Sequence, residues 1–269
     1  MTTENGNSNS FDLEDYAEGR EPVVEMEDIV KRFGVVSAIE GVDFTVYPGE
    51  VVALLGDNGA GKSTMIKILT GVHTPTSGTI RFDGRKVKIN SPRDARKLGI
   101  ETVYQDLALV PLMSVSRNFF LGREIVHLPL INILNLKAMN ANTERALLDI
   151  GIEKFSGTRS VTEPVGKLSG GERQSVAIGR AVHFSAKLLI LDEPTSALSV
   201  GETNKVLEYT QKAKELGLGV IFISHNINHV YQVSDRFTIM RHGRKVGDYA
   251  KSQIDVQGIA DIITGVRES

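Results

Sequence analysis

The chain contains no cysteine and no tryptophan, so a disulfide scaffold is excluded and the composition fits a reducing compartment. It also lacks any run approaching the roughly 20 apolar residues that span a bilayer. The longest candidates, Leu107–Met113 and Val126–Leu136, are short and interrupted by proline or histidine, so the chain does not read as an integral membrane protein. Its first residues carry neither the positive start nor the apolar centre of a secretory signal, and the expected compartment is the cytoplasm. A large excess of either charge is missing as well. With 31 Lys plus Arg against 33 Asp plus Glu, a formal balance of -2, there is no global basic field, which argues against a protein working mainly on nucleic-acid phosphates. No internal repeat is visible. What remains is 269 residues, 41% of them hydrophobic, one large domain or two small ones with enough apolar surface to fold unaided.

Residues 1–21 hold six acids (Glu4, Asp12, Glu14, Asp15, Glu18, Glu21) against Arg20, spaced by Asn, Ser and Gly, and are expected to be a disordered acidic tail. Beyond it, short apolar runs end in turn residues: Val23–Val30, Val42–Tyr47 before Pro48-Gly49, Val51–Leu55, and Thr79–Phe82 before Asp83-Gly84. These read as strands and hairpins. Leu188–Leu191 and Val220–Ile223 are nearly all aliphatic, as strands covered on both faces of a parallel sheet should be. Helical patterns alternate with them, which predicts an α/β fold. Between about Ser114 and Gly151 the strand signal disappears, and Leu136, Met139, Leu147 and Ile150 recur at helical spacing, predicting a mostly helical insertion.

Three motifs carry chemistry. Gly56-Asp57-Asn58-Gly59-Ala60-Gly61-Lys62-Ser63, followed by Thr64, fits G-x-x-x-x-G-K-[ST] between a strand, Glu50–Leu55, and a helical stretch. Such glycines let backbone N–H groups face a polyphosphate while the helix adds its positive end, the lysine reaches the outer phosphates and the serine hydroxyl meets Mg²⁺. A Gly-rich turn with a surface lysine would look alike, but strand, loop and helix all agree with the motif. Leu188–Leu191 ends in Asp192-Glu193, two carboxylates where parallel sheets bind ligands. Asp192 is a candidate Mg²⁺ ligand and Glu193 a candidate acceptor of a proton from attacking water, against the plain alternative of an acidic turn. Leu168-Ser169-Gly170-Gly171-Glu172-Arg173-Gln174 precedes a helix, so Ser169 and the glycine amides open a second anion-attracting helix start; alone, it is an N-cap.

In this order, a phosphate loop, Gln105 after the strand Ile100–Tyr104, LSGGE, LLILDEP and a lone His225 after Val220–Ser224, the chain resembles the ATPase subunit of an ABC transporter over about Glu21–Gly265. The resemblance implies a P-loop NTPase core with a β-rich amino-terminal subdomain and an inserted helical subdomain (about 106–184) within an ATPase domain 22–269. It implies ATP and Mg²⁺, with nucleotide contacts from Phe33, stacking on adenine, from Gly56 through Thr64, and from Ser169, Gly170 and Gly171 acting across a head-to-tail homodimer. It further assigns catalysis to Glu193, His225, Gln105 and Lys62, and the metal to Ser63, Gln105 and Asp192. The expected partners are a second copy, a membrane permease and, indirectly, an external solute-binding protein, with the chain peripheral on the cytoplasmic membrane face and no nucleic acid. The permease is expected along the segment from Gln105 to about Asn118, where Leu107, Leu109, Val110 and Met113 are candidates for exposure, and on the insertion.

Within that family the stretches GDNGAGKST, GIETVYQDLALVPLMSV, NFFLGRE and ISHNINHVYQVSDR look most like ATPases of bacterial monosaccharide importers for ribose, xylose or fructose. Many of those contain two ATPase halves; here there is one motif set, so two composite sites require a homodimer. Ser199 stands where the family usually has Asp, and Phe33 replaces the commoner Tyr while keeping the stacking face. Transport of another solute, or export, is the alternative within the class. A non-transport ABC ATPase would usually show a second half or a long coiled coil. A P-loop kinase or GTPase gives LSGG no role, and the guanine-reading Asn-Lys-x-Asp is missing because Asn204-Lys205 is followed by Val206-Leu207.

Overall fold

The computed structural model describes residues 19–128, 133–156 and 160–266. The predicted acidic tail lies outside the described residues except for Gly19–Glu21, which are exposed.

Two sheets form the frame. An antiparallel sheet in the order β2-β1-β4-β5 contains β1 (Val24–Phe33), β2 (Val36–Val46), β4 (Ser77–Phe82) and β5 (Arg85–Val87). A six-stranded sheet in the order β12-β11-β3-β10-β9-β6 contains β3 (Val51–Leu55), β6 (Ile100–Val103), β9 (Leu188–Asp192), β10 (Gly219–Ile223), β11 (Arg236–Arg241) and β12 (Arg244–Ala250). All its pairings are parallel except β11 with β12. Its central strands are aliphatic on both faces because both faces are covered. Side chains alternate in direction along a strand, and the packing follows that alternation. Val52, Leu54, Leu188, Ile190, Ile221 and Ile223 pack with the antiparallel sheet and with α1 (Lys62–Leu69) and α2 (Pro92–Leu98). Val51, Ala53, Leu55, Leu189, Leu191, Val220 and Phe222 pack on the other face against α5 (Gly170–His183), α6 (Val200–Glu215), α7 (Ile227–Val233) and α8 (Val256–Thr264).

The predicted strands 23–30 and 42–47 are the inner parts of one hairpin. It runs to Phe33, turns at Gly34-Val35 and resumes at Val36, with pairing irregularities near Asp28, whose φ is +47°. The polar stretch around Ser37, Glu40 and Gly41 hid the rest of β2.

The insertion has its own core, built from α3 (Val115–Phe119), α4 (Leu136–Asp149) and one side of α5, with Phe119, Met139, Leu147, Ile150 and Val176 buried together. Two differences from the helical expectation stand out. An antiparallel strand pair, β7 (Val126–Leu128) with β8 (Ile133–Leu134), lies before α4. Leu136 is exposed at the first turn of α4 rather than on its buried face, because Asn135 caps the helix there and the inward stripe starts at Met139. No helix among the described residues is long and apolar enough to cross a membrane.

A buried arginine anchors a charged cluster. Arg236 on β11, 0% exposed, bonds Glu50 through Nε at 2.8 Å and Asp248 through Nη1 at 2.9 and 3.0 Å, and also reaches the Thr45 carbonyl. It ties both sheets together where a purely apolar contact would leave Glu50 stranded.

Candidate active site

β3 delivers the chain to the phosphate loop and α1 leads it away. Gly56, at φ +144°, is required by space: a Cβ there would stand 2.2 Å from the Met240 carbonyl oxygen on β11. Gly61, at φ +107°, is the N-cap of α1, and a Cβ there would lie 3.0 Å from the Ala38 carbonyl oxygen. The loop and α1 start, Asn58, Gly59, Ala60, Gly61, Lys62, Ser63 and Thr64, line a cleft of about 270 Å³ together with Val36, Ser37 and Ala38. Gly56 and Asp57 lie behind it and hold the lysine: Lys62 Nζ donates to their carbonyl oxygens at 2.7 and 3.0 Å. Burial pulls the Lys62 pKa below its ordinary value, against the opposing fields of Glu193, Asp57 and Asp192. Phe33, 44% exposed at the end of β1, has His73 edge-on at 5.1 Å and Lys31 Nζ 4.9 Å from its ring centre. With the exposed Val35 and Val36 it forms an apolar rim beside the cleft; His73 and Lys31 gave no signal in the sequence.

Asp192 closes β9, and Glu193 follows with φ +51°, its amide donating to the Ile223 carbonyl at 2.9 Å. Because β9 and β10 are parallel neighbours, their carboxyl ends bring Glu193 and His225 together. His225 Nδ1 lies 3.0 Å from Glu193 Oε2, and the Ser224 hydroxyl donates to the same oxygen at 3.2 Å. Ser224 was not foreseen; its only mark in the sequence is its place before the histidine. Burial, and then the neighbouring Glu193, push the Asp192 carboxyl up, while Lys62 opposes them. A divalent cation would answer that crowding of negative charge. The oxygen donors Ser63, Asp192 and Gln105 suit Mg²⁺, which takes few protein ligands and relies on substrate phosphates and water; no cluster of three or more acidic or histidine ligands exists among the described residues. Gln105 is exposed and lines a second cavity of about 530 Å³ with Glu193, Gly170, Gln174 and the 196–198 loop.

Ser169 caps α5 in a reciprocal box with Glu172, at 3.3 Å to the Glu172 amide and 2.8 Å back to its own. Gly170 and Gly171 sit against the start of α6: an added Cβ would meet Leu198 at 2.8 Å and Glu202 at 2.7 Å respectively. Thus within one chain Gly170 and Gly171 pack on the 196–202 segment, and Gly170 and the phosphate loop line different cavities. Ser199 is the N-cap of α6, its hydroxyl accepting from the Glu202 amide at 3.4 Å. Ser and Asp are interchangeable in that capping task, so this departure from the family pattern leaves the helix start intact. Glu172 and Glu202 were overlooked, although Ser-x-x-Glu at 169–172 and 199–202 is the sequence mark of such boxes.

Of the segment expected to be open, Leu107 and Leu109 are partly buried, packed on the main and insertion cores, and Met113 is half-buried. Their i, i+2 spacing turns them inward because Asn118, 0% exposed, clamps the loop: it accepts from the Val110 amide at 2.7 Å and donates to the carbonyls of Val110, Met113 and Ser114 at 3.1 Å. Val110 at 41% and the unforeseen Leu112 at 91% exposure are the outward ones. A groove of about 350 Å³ beside them runs between β6, α2 and α5, with Arg96, Glu101 and Arg180 among its polar edges.

A parallel sheet with a phosphate loop after its central strand and paired acids after the next but one defines a P-loop ATPase. The profile described as "ABC transporter" matches residues 39–196. The xylose/arabinose import ATP-binding protein XylG of Sulfolobus acidocaldarius is 46% identical, over 90% of this chain and 94% of that protein. The fructose import ATP-binding protein FrcA of Rhizobium meliloti is 41% identical, over 93% and 96%. The ribose import ATP-binding protein RbsA 2 of Escherichia coli O157:H7 is 39% identical over 91% of this chain, which spans 47% of that protein. Among solved structures, cbiO1 of Clostridium perfringens, described as part of an ABC transporter complex, is 27% identical with TM-score 0.74, covering 92% of this chain and 96% of its own. A nucleotide-free ATP-binding cassette, 24% identical and TM-score 0.74 over 90% and 95%, shares the fold. The chain belongs to the ABC transporter family and is an ATPase.

Proposed function

We propose that the chain is the ATP-hydrolysing subunit of an ABC import system for a monosaccharide, working as a head-to-tail homodimer docked on a membrane permease at its cytoplasmic face. What supports the dimer is that Gly170 and the phosphate loop line different cavities of one chain, so that a second copy can lay its LSGG helix start over ATP held on that loop. The sugar class follows the names of relatives matched over nearly their whole length.

In this reading Phe33 and Val36 receive the base, and the amides of Gly59 to Thr64 and Lys62 receive the phosphates. Ser63, Asp192 and Gln105 hold Mg²⁺, which when bound supplies positive charge to the phosphate oxygens. Glu193 takes one proton from the attacking water at Oε2 as the bond between the γ-phosphorus and the leaving ADP oxygen breaks. His225, 3.0 Å from that oxygen, orients the carboxylate and offers its exposed edge to the γ-phosphate. Ser169 and Gly171 of the second copy complete the cage, lowering the barrier by position and charge. Val110, Leu112 and the neighbouring groove face the permease, and a solute-binding protein outside the membrane selects the sugar.

The test is to tag the Glu193→Gln chain, solubilise source membranes with ATP and Mg²⁺, and identify what co-purifies. A multi-span permease together with a sugar-binding protein is the expected result. Ribosomal or DNA-bound partners without a permease would overturn the import reading and leave a non-transport ATPase.

A further inference from the structure

An ordinary capping box spends its glutamate on one amide, that of its own N-cap. Glu202 reaches further. Its Oε2 accepts from the Ser199 amide at 3.1 Å and the Ser199 hydroxyl at 2.9 Å, while Oε1 accepts from the Gly171 amide at 3.1 Å. The Ser169 side chain lies near enough to this carboxylate to help hold its pKa down, and its hydroxyl oxygen accepts from the Glu172 amide. The close fit of Gly171 onto the Glu202 stem, where a Cβ would come within 2.7 and 2.8 Å of Cβ and Cγ, keeps the two helix starts in register.

The Ser169 hydroxyl and the Gly171 amide are the donors with which the start of α5 attracts an anion. In the single chain the Gly171 amide is spent on a carboxylate of the same chain, which also lies beside Ser169. We propose that Glu202 is an autoinhibitory contact, an internal anion that occupies the LSGG helix start until the terminal phosphate of ATP carried by a second copy displaces it. The proposal rests on the head-to-tail reading above. Its physical content is charge: the carboxylate satisfies the Gly171 amide in place of the phosphate and repels it, so closure must first part Glu202 from Gly171. The bonds from Oε2 to Ser199 keep the carboxylate beside the helix start, ready to return when phosphate leaves. The nucleotide cleft is lined by other residues, so ATP binding to the single chain is independent of this contact.

The experiment takes full-length Glu193→Gln as parent and measures, by sedimentation, the ATP concentration at which half the protein is dimeric in the presence of Mg²⁺. Adding Glu202→Gln exchanges a charge-assisted hydrogen bond for a neutral one of the same shape and is expected to lower that midpoint about tenfold, with ATP affinity of the dilute monomer unchanged. A midpoint that stays or rises overturns the proposal. As a check free of substitution at 202, the carboxyl carbon resonance of Glu202 in the parent is expected to shift when ATP closes the dimer; a resonance that does not move also overturns it. A parent that remains monomeric at every ATP concentration instead refutes head-to-tail closure, and the inhibitory contact falls with it.

Discussion

Glu193→Gln removes one charge and one proton-accepting site while keeping the length of the side chain. The carboxamide oxygen still accepts from Ser224, which donates at 3.2 Å in the wild type, and the amide bond to Ile223 that fixes the turn at φ +51° belongs to the backbone. The fold at the site is therefore retained. Two electrostatic effects reach the phosphate site. The Glu193 charge offsets the burial that lowers Lys62 and adds to the burial that raises Asp192. Without it Lys62 loses support for its charge while Asp192 ionises more readily, so the changes act in opposite senses on a bound Mg-nucleotide. ATP affinity is expected to stay within about fivefold of the wild type, since partly screened charges contribute about 1 kcal/mol or less. Turnover is another matter. A positioned general base contributes about 10² to 10⁴ in rate, or about 3 to 5 kcal/mol of barrier, and no other described carboxylate is held by Ser224 and His225. Steady-state phosphate release at saturating ATP and Mg²⁺, beside equilibrium binding of a fluorescent nucleotide, measures the two quantities separately. A variant with unchanged binding and turnover within about threefold of the wild type would show that Glu193 is not the base.

Arg236→Met leaves Glu50, 1% exposed, and Asp248 without their guanidinium. The expected cost is about 3–5 kcal/mol, seen by calorimetry as a midpoint lowered by about 2–4 °C for each kcal/mol in a chain of this length; a loss below about 1 kcal/mol would refute the role assigned to the cluster. The donors around Glu202, first the Ser169 side chain and then the amides of Gly171 and Ser199, hold its carboxyl down to about 2. Because the folded value lies below the unfolded one of about 4.3, the stabilisation is complete above the ordinary glutamate range and disappears as pH falls through about 2. A carbon-detected titration of Glu202 with its midpoint in the ordinary range would contradict the geometry.

Much of this was legible beforehand because it depends on local order. Strand, Gly-rich loop and helix are consecutive in the chain, so Gly56–Thr64 could be read as a phosphate loop before any packing was known. The aliphatic runs at Leu188 and Val220 announced buried parallel strands, since covered faces tolerate no polar side chain. The ends of the first hairpin and the pair β7–β8 escaped because polar or very short strand segments lack the alternation that marks buried ones. Leu107 and Leu109 could not be placed from sequence: their direction is set by Asn118, whose four bonds to the 110–114 loop exist only once α3 has docked.

The sequence by itself marked the strand, loop and helix that read as a phosphate loop and the strands that fill the sheet, because a helix start, a glycine turn and an aliphatic run each carry their physics within about ten residues. Only the tertiary structure decided which distant groups share a site. The parallel pairing of β9 and β10 brings His225 to Glu193 across 31 intervening residues. The packing of α5 on α6 delivers Glu202 to Ser169 and Gly171. Charge and hydrogen-bond partners depend on distance in space, and that distance is fixed by the close packing of the core rather than by any spacing along the chain.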